Sequence, residues 1–468
     1  MRLPRLTRRA AAAVLAALTF LPSAVVAQAS APPPAPPHDS IVSAVLAAIG
    51  SGDVAARARV IATLSPSARA ADSAGVDQLL TRLHAQGAPF LVVSRETVGR
   101  HRFVKLRSVR AGRVATLDLA TDRAAPGWVG GLEVLESHAA ILDSLTLPAT
   151  RPRGDAEAMD MVRRHVAALA AAGAFSGAVY LARGDSAVLA RGYGLADREH
   201  DVANAADTRF ALASMGKMFT ATAVLQLVQQ HRLSLDDTLA RVLPAYPNRE
   251  RASRITIRQL LQHTAGLGDL WSTPKKPVAG LTGQLAEAAA VAWAPLLFAP
   301  GTRWSYSNEG YVVLAAVVER VSGESFHDYL RRHVFAPAGM TETVLRAGAD
   351  EIIPRRAVGY RPQADDPLGA EAPRANWTFL GRDASGAGGG YSTAADIARF
   401  GRALREGKLV SAALRDTMWT GVWDLPGYAG QKYGMATFVW PIGARTAVGH
   451  GGGGTGSGID NGFKQFTD

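Results

Sequence analysis

Ser214-Met215-Gly216-Lys217 stands at the head of an apolar run that continues to Val228, and the reading of this stretch decides the fold. Met218, Phe219, Ala221, Val224, Leu225, Leu227 and Val228 cover nearly every face of a helix, which predicts a core helix rather than a surface one. Residues i and i+3 share a helical face, so the Ser214 hydroxyl and the Lys217 amine come within hydrogen-bond reach. A plain serine is a poor nucleophile. A neighbouring amine can take its proton if burial lowers the amine's pKa enough to leave a useful neutral fraction. The competing reading is an N-cap serine and a lysine that snorkels to solvent. Ser272-Thr273-Pro274-Lys275 repeats the spacing, but its internal proline argues against an aligning helix. Apolar surroundings separate the two cases and favour Ser214 and Lys217 as chemistry.

The chain has 468 residues and 48% hydrophobic content, enough for large cores in two or three domains. Its net charge of +11 includes Arg2, Arg5, Arg8 and Arg9, which precede any acidic residue. Elsewhere Lys and Arg are scattered among acids, so no nucleic-acid partner is expected. Residues 1–29 read as a secretory signal: arginines, an apolar segment Ala10 to Ala27, and small residues at Ala27-Gln28-Ala29. The expected location is periplasmic or secreted, with Arg8-Arg9 hinting at twin-arginine export. No later stretch is apolar and long enough to span a membrane. Zero cysteines excludes disulfide and thiol chemistry.

Residues 30–38, with Pro32 to Pro37, form an extended spacer. Residues 39–148 read as a small α+β domain. Helical spacing runs from Asp39 to about Ala62 and again over Val76 to Leu83; strands follow at Phe90 to Val93, Phe103 to Val109, Val114 to Leu119 and Trp128 to Leu135. That pattern resembles the cone-shaped NTF2-like modules. After a linker at 149–154, a second domain over 155–468 opens with a helix, Ala156 to Ala172, and strands at Gly177 to Ala182 and Val188 to Gly192. Strand character returns near Ala436 to Trp440 and Thr446 to Gly449, which implies one sheet assembled from both ends with helices between.

Two further segments carry chemistry. Pro300 to Asn308 precedes an apolar helix from about Tyr311 to Val321. The Tyr306 phenol can shuttle a proton near cations, and the Asn308 amide can hold a substrate carbonyl. Equally, Ser307 or Asn308 can cap that helix and Tyr306 can be a core aromatic. Tyr246-Pro247-Asn248 shows how readily the Y-x-N pattern arises. His450-Gly451-Gly452-Gly453 ends an apolar run, and its glycines let a ligand approach backbone amides that can bind an oxyanion. Gly449 to Gly454 matches G-x-G-x-x-G, yet no helix follows, so a dinucleotide site is excluded. No H-x-x-x-H or comparable spacing points to zinc, and neither metal nor cofactor is expected.

In this order and context, the three segments resemble the serine β-lactamase and penicillin-binding-protein superfamily, in its class C-like branch, from about Asp155 onward. Leu235-Asp236-Asp237, Ile255 to Leu267 with His263-Thr264-Ala265-Gly266, Pro300 to Tyr311 and Gly388 to Thr393 are similar to that branch's framework segments. The resemblance implies an antiparallel sheet flanked by helices plus an all-helical subdomain. It implies Ser214 as acylated nucleophile, Lys217 as its proton partner and Tyr306 as proton carrier to the leaving group and water. Asn308 and His450 would bind substrate, and the Ser214 and Gly453 amides would form the oxyanion hole. Whether Lys217 or Tyr306 is the base stays open, because paired titrating groups share protons.

Two departures qualify the resemblance. Many relatives carry Lys-Thr-Gly where this chain has His450-Gly451-Gly452. A histidine is mostly neutral near pH 7 without a carboxylate beside it. Weak carboxylate recognition then favours an esterase or a D-amino-acid peptidase over a true β-lactamase or D-Ala-D-Ala carboxypeptidase. Binding of carboxylate substrates is expected to improve as pH falls through the His450 titration. Second, the chain ends eighteen residues after His450, where the family continues into further strands and a helix, so the chain is expected to be cut short. The expected partner is a small ester, D-peptide or β-lactam. The reading from another class is a non-catalytic binder of cell-wall fragments.

Overall fold

The structure, a computed structural model, describes residues 38–468 apart from 99–100, 110–112, 123–124, 126, 140–151, 269–274, 346–350, 362–372, 377–383, 426–429 and 455–456. The signal segment, nearly all of the spacer, half of the linker and the serine of the Ser272 to Lys275 repeat lie outside the described residues.

Three helices open the described chain: α1 (His38–Ser51), α2 (Val54–Ala62) and α3 (Pro66–Gly87). Helix α3 starts ten residues earlier than the sequence pattern predicts. Ser65 caps it by accepting from the Ala68 amide, and Pro66 sits in the first turn, where a missing N–H costs nothing. Four strands then form an antiparallel meander: β1 (Phe90–Val98), β2 (His101–Ser108), β3 (Arg113–Thr121) and β4 (Val129–Ala139), each paired with its sequence neighbour. Ile41, Ile49, Leu80, Leu83, Leu106 and Leu117 join helices to sheet in one buried cluster. That cluster shares no residue with the larger core formed by residues 212–448.

The second half begins with α4 (Asp155–Ala171), none of whose residues is buried. Next come β5 (Gly177–Arg183) and β6 (Ser186–Tyr193), a hairpin closed by Gly184-Asp185. Helix α5 (Lys217–Gln229) is buried at every position from Lys217 to Leu227, as its all-round apolar pattern requires. Phe219 meets Phe335 and Phe400 edge-on at ring separations of 5.0 and 4.8 Å, an arrangement aromatic quadrupoles favour. Helix α6 (Asn308–Ser322) packs beside it, and Gly323 at φ 79° ends it. Its first turn is anchored by an ion pair between Glu309 and Arg251, 0 and 5% exposed; the same guanidinium donates to the Ala292 and Ala294 carbonyls, both at 2.9 Å.

The chain closes with an antiparallel sheet in sequence order: β7 (Trp423–Asp424), β8 (Lys432–Tyr433), β9 (Phe438–Ile442), β10 (Arg445–Gly454) and β11 (Ile459–Phe466). The expected single sheet is therefore corrected. Among the described residues the β5–β6 hairpin and this five-stranded sheet are separate hydrogen-bonded units. A two-residue loop lets β5 and β6 pair at little entropic cost, so their ladder is satisfied locally. Strand β11 was not legible, because Asn461 and Gln465 interrupt the apolar alternation carried by Ile459 and Phe463. It forms because β10 needs a partner: β9 pairs with β10 only up to Gly449, whereas β11 continues from Ala447 to Gly454. Residues 450–454 thus keep one ladder edge unpaired by β9.

Candidate active site

Ser214 sits in a 3-10 turn, Ala213–Gly216, and α5 starts at Lys217. The sequence pattern placed both on one α-helix. The tighter turn serves the contact better, because residues i and i+3 eclipse in a 3-10 helix. Ala213 before the serine has φ 45°, a costly conformation for a residue with a Cβ and one that concentrates at functional sites. It is held from outside: the Gly389 amide donates to the Ala213 carbonyl at 3.1 Å. The Gly388 backbone packs so closely that an added Cβ would lie 2.1 Å from that oxygen, which is why glycine is required there.

Lys217 is fully buried. Its Nζ donates to Ser214 Oγ at 3.1 Å, Asn308 Oδ1 at 2.7 Å and the Ala387 carbonyl at 2.6 Å. It also lies 4.8 Å from the centre of the Tyr306 ring, within cation–π range. Ser307 takes the cap of α6, accepting from the Gly310 amide at 3.1 Å, so Asn308 is left to meet Lys217. Of the two expected caps, Ser307 is the one that serves, and Asn308 turns toward Lys217. In the decoy, Asn248 caps Arg249–Ser253, and Tyr246 is a buried core aromatic.

His450 lies on β10, 2% exposed, with its ring 6.3 Å from that of Tyr306. Nδ1 faces the Gly451 carbonyl and must donate to it, which leaves Nε2 to accept from the Tyr433 hydroxyl at 3.3 Å. Burial and then the Lys217 charge push the His450 pKa down to about 3. The imidazole is neutral at working pH. The expectation that it titrates between pH 5 and 8 and draws in carboxylates is corrected: among the described residues no carboxylate raises its pKa, and desolvation disfavours its charged form. Gly452 brings β10 against the turn that carries Ser214, where an added Cβ would lie 3.2 Å from the Ser214 nitrogen and 2.2 Å from the Leu212 carbonyl. Gly453, two glycines beyond Gly451, continues the edge left open by β9, with φ 117°.

Three participants escaped the sequence reading as individual side chains or carbonyls: Ala387, Tyr433 and His263. The segment Gly388 to Thr393 entered only by its likeness to a framework segment, with no indication that its glycines pack on the turn that carries Ser214. His263 was noted within a framework segment, but nothing local shows that it faces Tyr306, with rings 4.3 Å apart. For a metal, the described residues offer one cluster, Asp197, Glu199 and His200, with ligand atoms within 4.8 Å of one another. It is mostly exposed and includes none of the residues around Ser214, and Asp197 is already bonded to His200 at 2.9 Å.

A β-lactamase family model matches residues 162–462, the stretch that carries this whole cluster. The chain belongs to the β-lactamase family. Among curated proteins it is similar to penicillin-binding protein PbpX of Bacillus subtilis, 32% identical over 272 residues, 57% of this chain and 63% of that protein. It is also similar to penicillin-binding protein 4 of Amycolatopsis lactamdurans, 31% identical over 54% of this chain and 67% of the relative. The chain thus spans about two-thirds or less of these relatives' length. A crystal structure of a penicillin binding protein from Bacillus halodurans superposes with a TM-score of 0.52 at 28% identity, over 62% of this chain and 87% of that one. The sheet-and-helix α+β fold is that of this family's serine hydrolases. No helix among the described residues is long and apolar enough to cross a membrane.

Proposed function

We propose that this β-lactamase-family protein is an exported serine hydrolase that cleaves ester or amide bonds through an acyl-Ser214 intermediate. The observation that carries this reading is the position of Lys217 Nζ, buried and 3.1 Å from Ser214 Oγ with Tyr306 beside it. Lys217 or Tyr306 takes the Ser214 proton as Oγ attacks the substrate carbonyl. The oxyanion faces the Ser214 and Gly453 amides. Collapse breaks the ester or amide bond, and the leaving alcohol or amine receives the proton by way of Tyr306. Water, deprotonated along the same path, then releases the acid and restores Ser214. Asn308, held at its Oδ1 by Lys217, presents its amide N–H to the substrate.

A neutral His450 and a hydroxyl-free Gly451 offer no fixed charge to a substrate carboxylate. Neutral esters and D-amino-acid amides or peptides without a free carboxylate at that end are therefore the preferred substrates, ahead of penicillins. The leader supports export.

Fluorophosphonate and fluorescent-penicillin labelling, followed by a rate panel of esters, D-peptides and nitrocefin, tests the proposal. Wild type labels and Ser214→Ala does not, with a rate loss on the order of a thousandfold or more. Label retained in Ser214→Ala ends the acyl-serine reading. Nitrocefin turnover far above ester turnover overturns the substrate class.

A further inference from the structure

His263 does not touch Ser214 or Lys217 in any hydrogen bond described above, yet it is the residue most closely built around Tyr306. It is 2% exposed and holds φ 58°, a left-handed conformation that is unfavourable for a residue with a Cβ and so must be imposed by its surroundings. That turn sends its carbonyl and its ring to the same neighbour. The His263 carbonyl accepts from the Ser305 amide at 3.0 Å, and Nδ1 accepts from the Ser307 amide at 3.1 Å. These are the backbone amides of the two residues that flank Tyr306 in the chain. The ring also lies against the phenol, 4.3 Å between centres and tilted by 38°.

An N–H can donate only to an unprotonated nitrogen, so Nδ1 carries no proton and Nε2 does. Nε2 has no hydrogen-bond partner among the described residues. It is enclosed by aromatic rings, with Tyr311 and Tyr433 each 5.0 Å from the imidazole centre. Burial, then the charge of Lys217, hold the imidazole well below its ordinary pKa, so no second cation forms beside the amine.

We infer that His263 is a positioning residue that clamps the amides of Ser305 and Ser307, the residues before and after Tyr306, and so fixes the phenol for proton transfer between Ser214, the leaving group and water. The inference rests on the proposed proton-carrying role of Tyr306. A clamp of this kind acts on kcat: a displacement of about 1 Å in a proton carrier costs roughly a hundredfold. Binding, made elsewhere in the cleft, is spared.

The test compares His263→Asn with His263→Gly on a chromogenic ester. Both residues accept a left-handed backbone, but only Asn keeps an acceptor for the Ser307 amide. Asn is expected to retain most of kcat. Gly is expected to lose about a hundredfold in kcat with KM little changed, because acylation and deacylation both pass their proton through Tyr306 and slow together. A Gly variant with wild-type kcat, or one that loses kcat/KM through a raised KM instead, overturns the clamp. Tyr306→Phe is measured alongside. If it keeps full activity, the proposed role of Tyr306 fails; if it is inactive while His263→Gly is active, the clamp alone fails. The unaltered protein supplies a readout independent of variant folding: nitrogen-15 spectra should show Nδ1 unprotonated and Nε2 protonated, and the opposite tautomer refutes the inference.

Discussion

Acid should destabilise this fold through His450 by an amount that can be isolated. The imidazole's pKa is about 3 in the folded protein against an ordinary 6.5, because burial and Lys217 disfavour the cation. The folded value lies below the unfolded one, so between these limits the unfolded chain binds a proton that the folded chain refuses. Stability is then complete above pH 6.5 and falls by about 1.4 kcal/mol per unit below it. The loss is about 2 kcal/mol at pH 5 and approaches about 5 kcal/mol near pH 3. His450→Gln cannot titrate. The measurement is urea unfolding of wild type and variant at pH 7.5 and 5.0, followed by tryptophan fluorescence, which reports mainly on the second half because seven of the eight tryptophans follow residue 154. The drop between the two pH values should be smaller by about 2 kcal/mol in the variant, whatever the substitution itself costs. Equal drops within about half a kcal/mol would refute the buried neutral histidine. The same neutrality predicts that the ratio of kcat/KM for a carboxylate-bearing ester to that for its methyl ester stays flat from pH 5 to 8. A rise toward pH 5 would restore the imidazolium.

Lys217→Arg should fail as fully as Lys217→Ala, losing on the order of a thousandfold in acylation, since a wide guanidinium that never deprotonates cannot replace a buried amine among Ser214, Asn308 and Ala387. Stopped-flow labelling checks this, and an active arginine variant would remove the proton-accepting role. Gly452→Ala should fold but react about a hundredfold more slowly, because a Cβ 2.2 Å from the Leu212 carbonyl forces β10 away from the nucleophile turn. Steady-state kinetics with circular dichroism decide it. Arg251→Ala takes the guanidinium away from a fully buried Glu309 and should cost about 3–5 kcal/mol in unfolding free energy. Pairing it with Glu309→Leu should recover much of that, and a double variant as unstable as the single would contradict the argument.

Local order explains what could be read in advance. Ser214 and Lys217 meet because they are three residues apart in a tight turn, and the burial of Lys217 followed from the apolar faces that surround it in sequence. The cap of α6 and the meander of the first half are likewise short-range. The glycines at 451–453 announced a close approach to the backbone, but a glycine does not name its partner. That Ala387 meets Lys217, that Tyr433 meets His450, and that β11 completes the sheet are long-range facts that only packing decides.

The sequence by itself determined the identity and spacing of the groups proposed to react, since hydroxyl, amine and phenol each sit in a segment whose conformation is set within a few residues. The tertiary structure decided their orientation and the state of the histidines around them. It made His450 a neutral, hydrogen-bonded wall instead of a titrating cation, and placed His263 against the amides of Ser305 and Ser307 on either side of Tyr306. The physical reason is that charge and tautomer depend on desolvation and on partners brought from distant parts of the chain, and no local pattern carries that information.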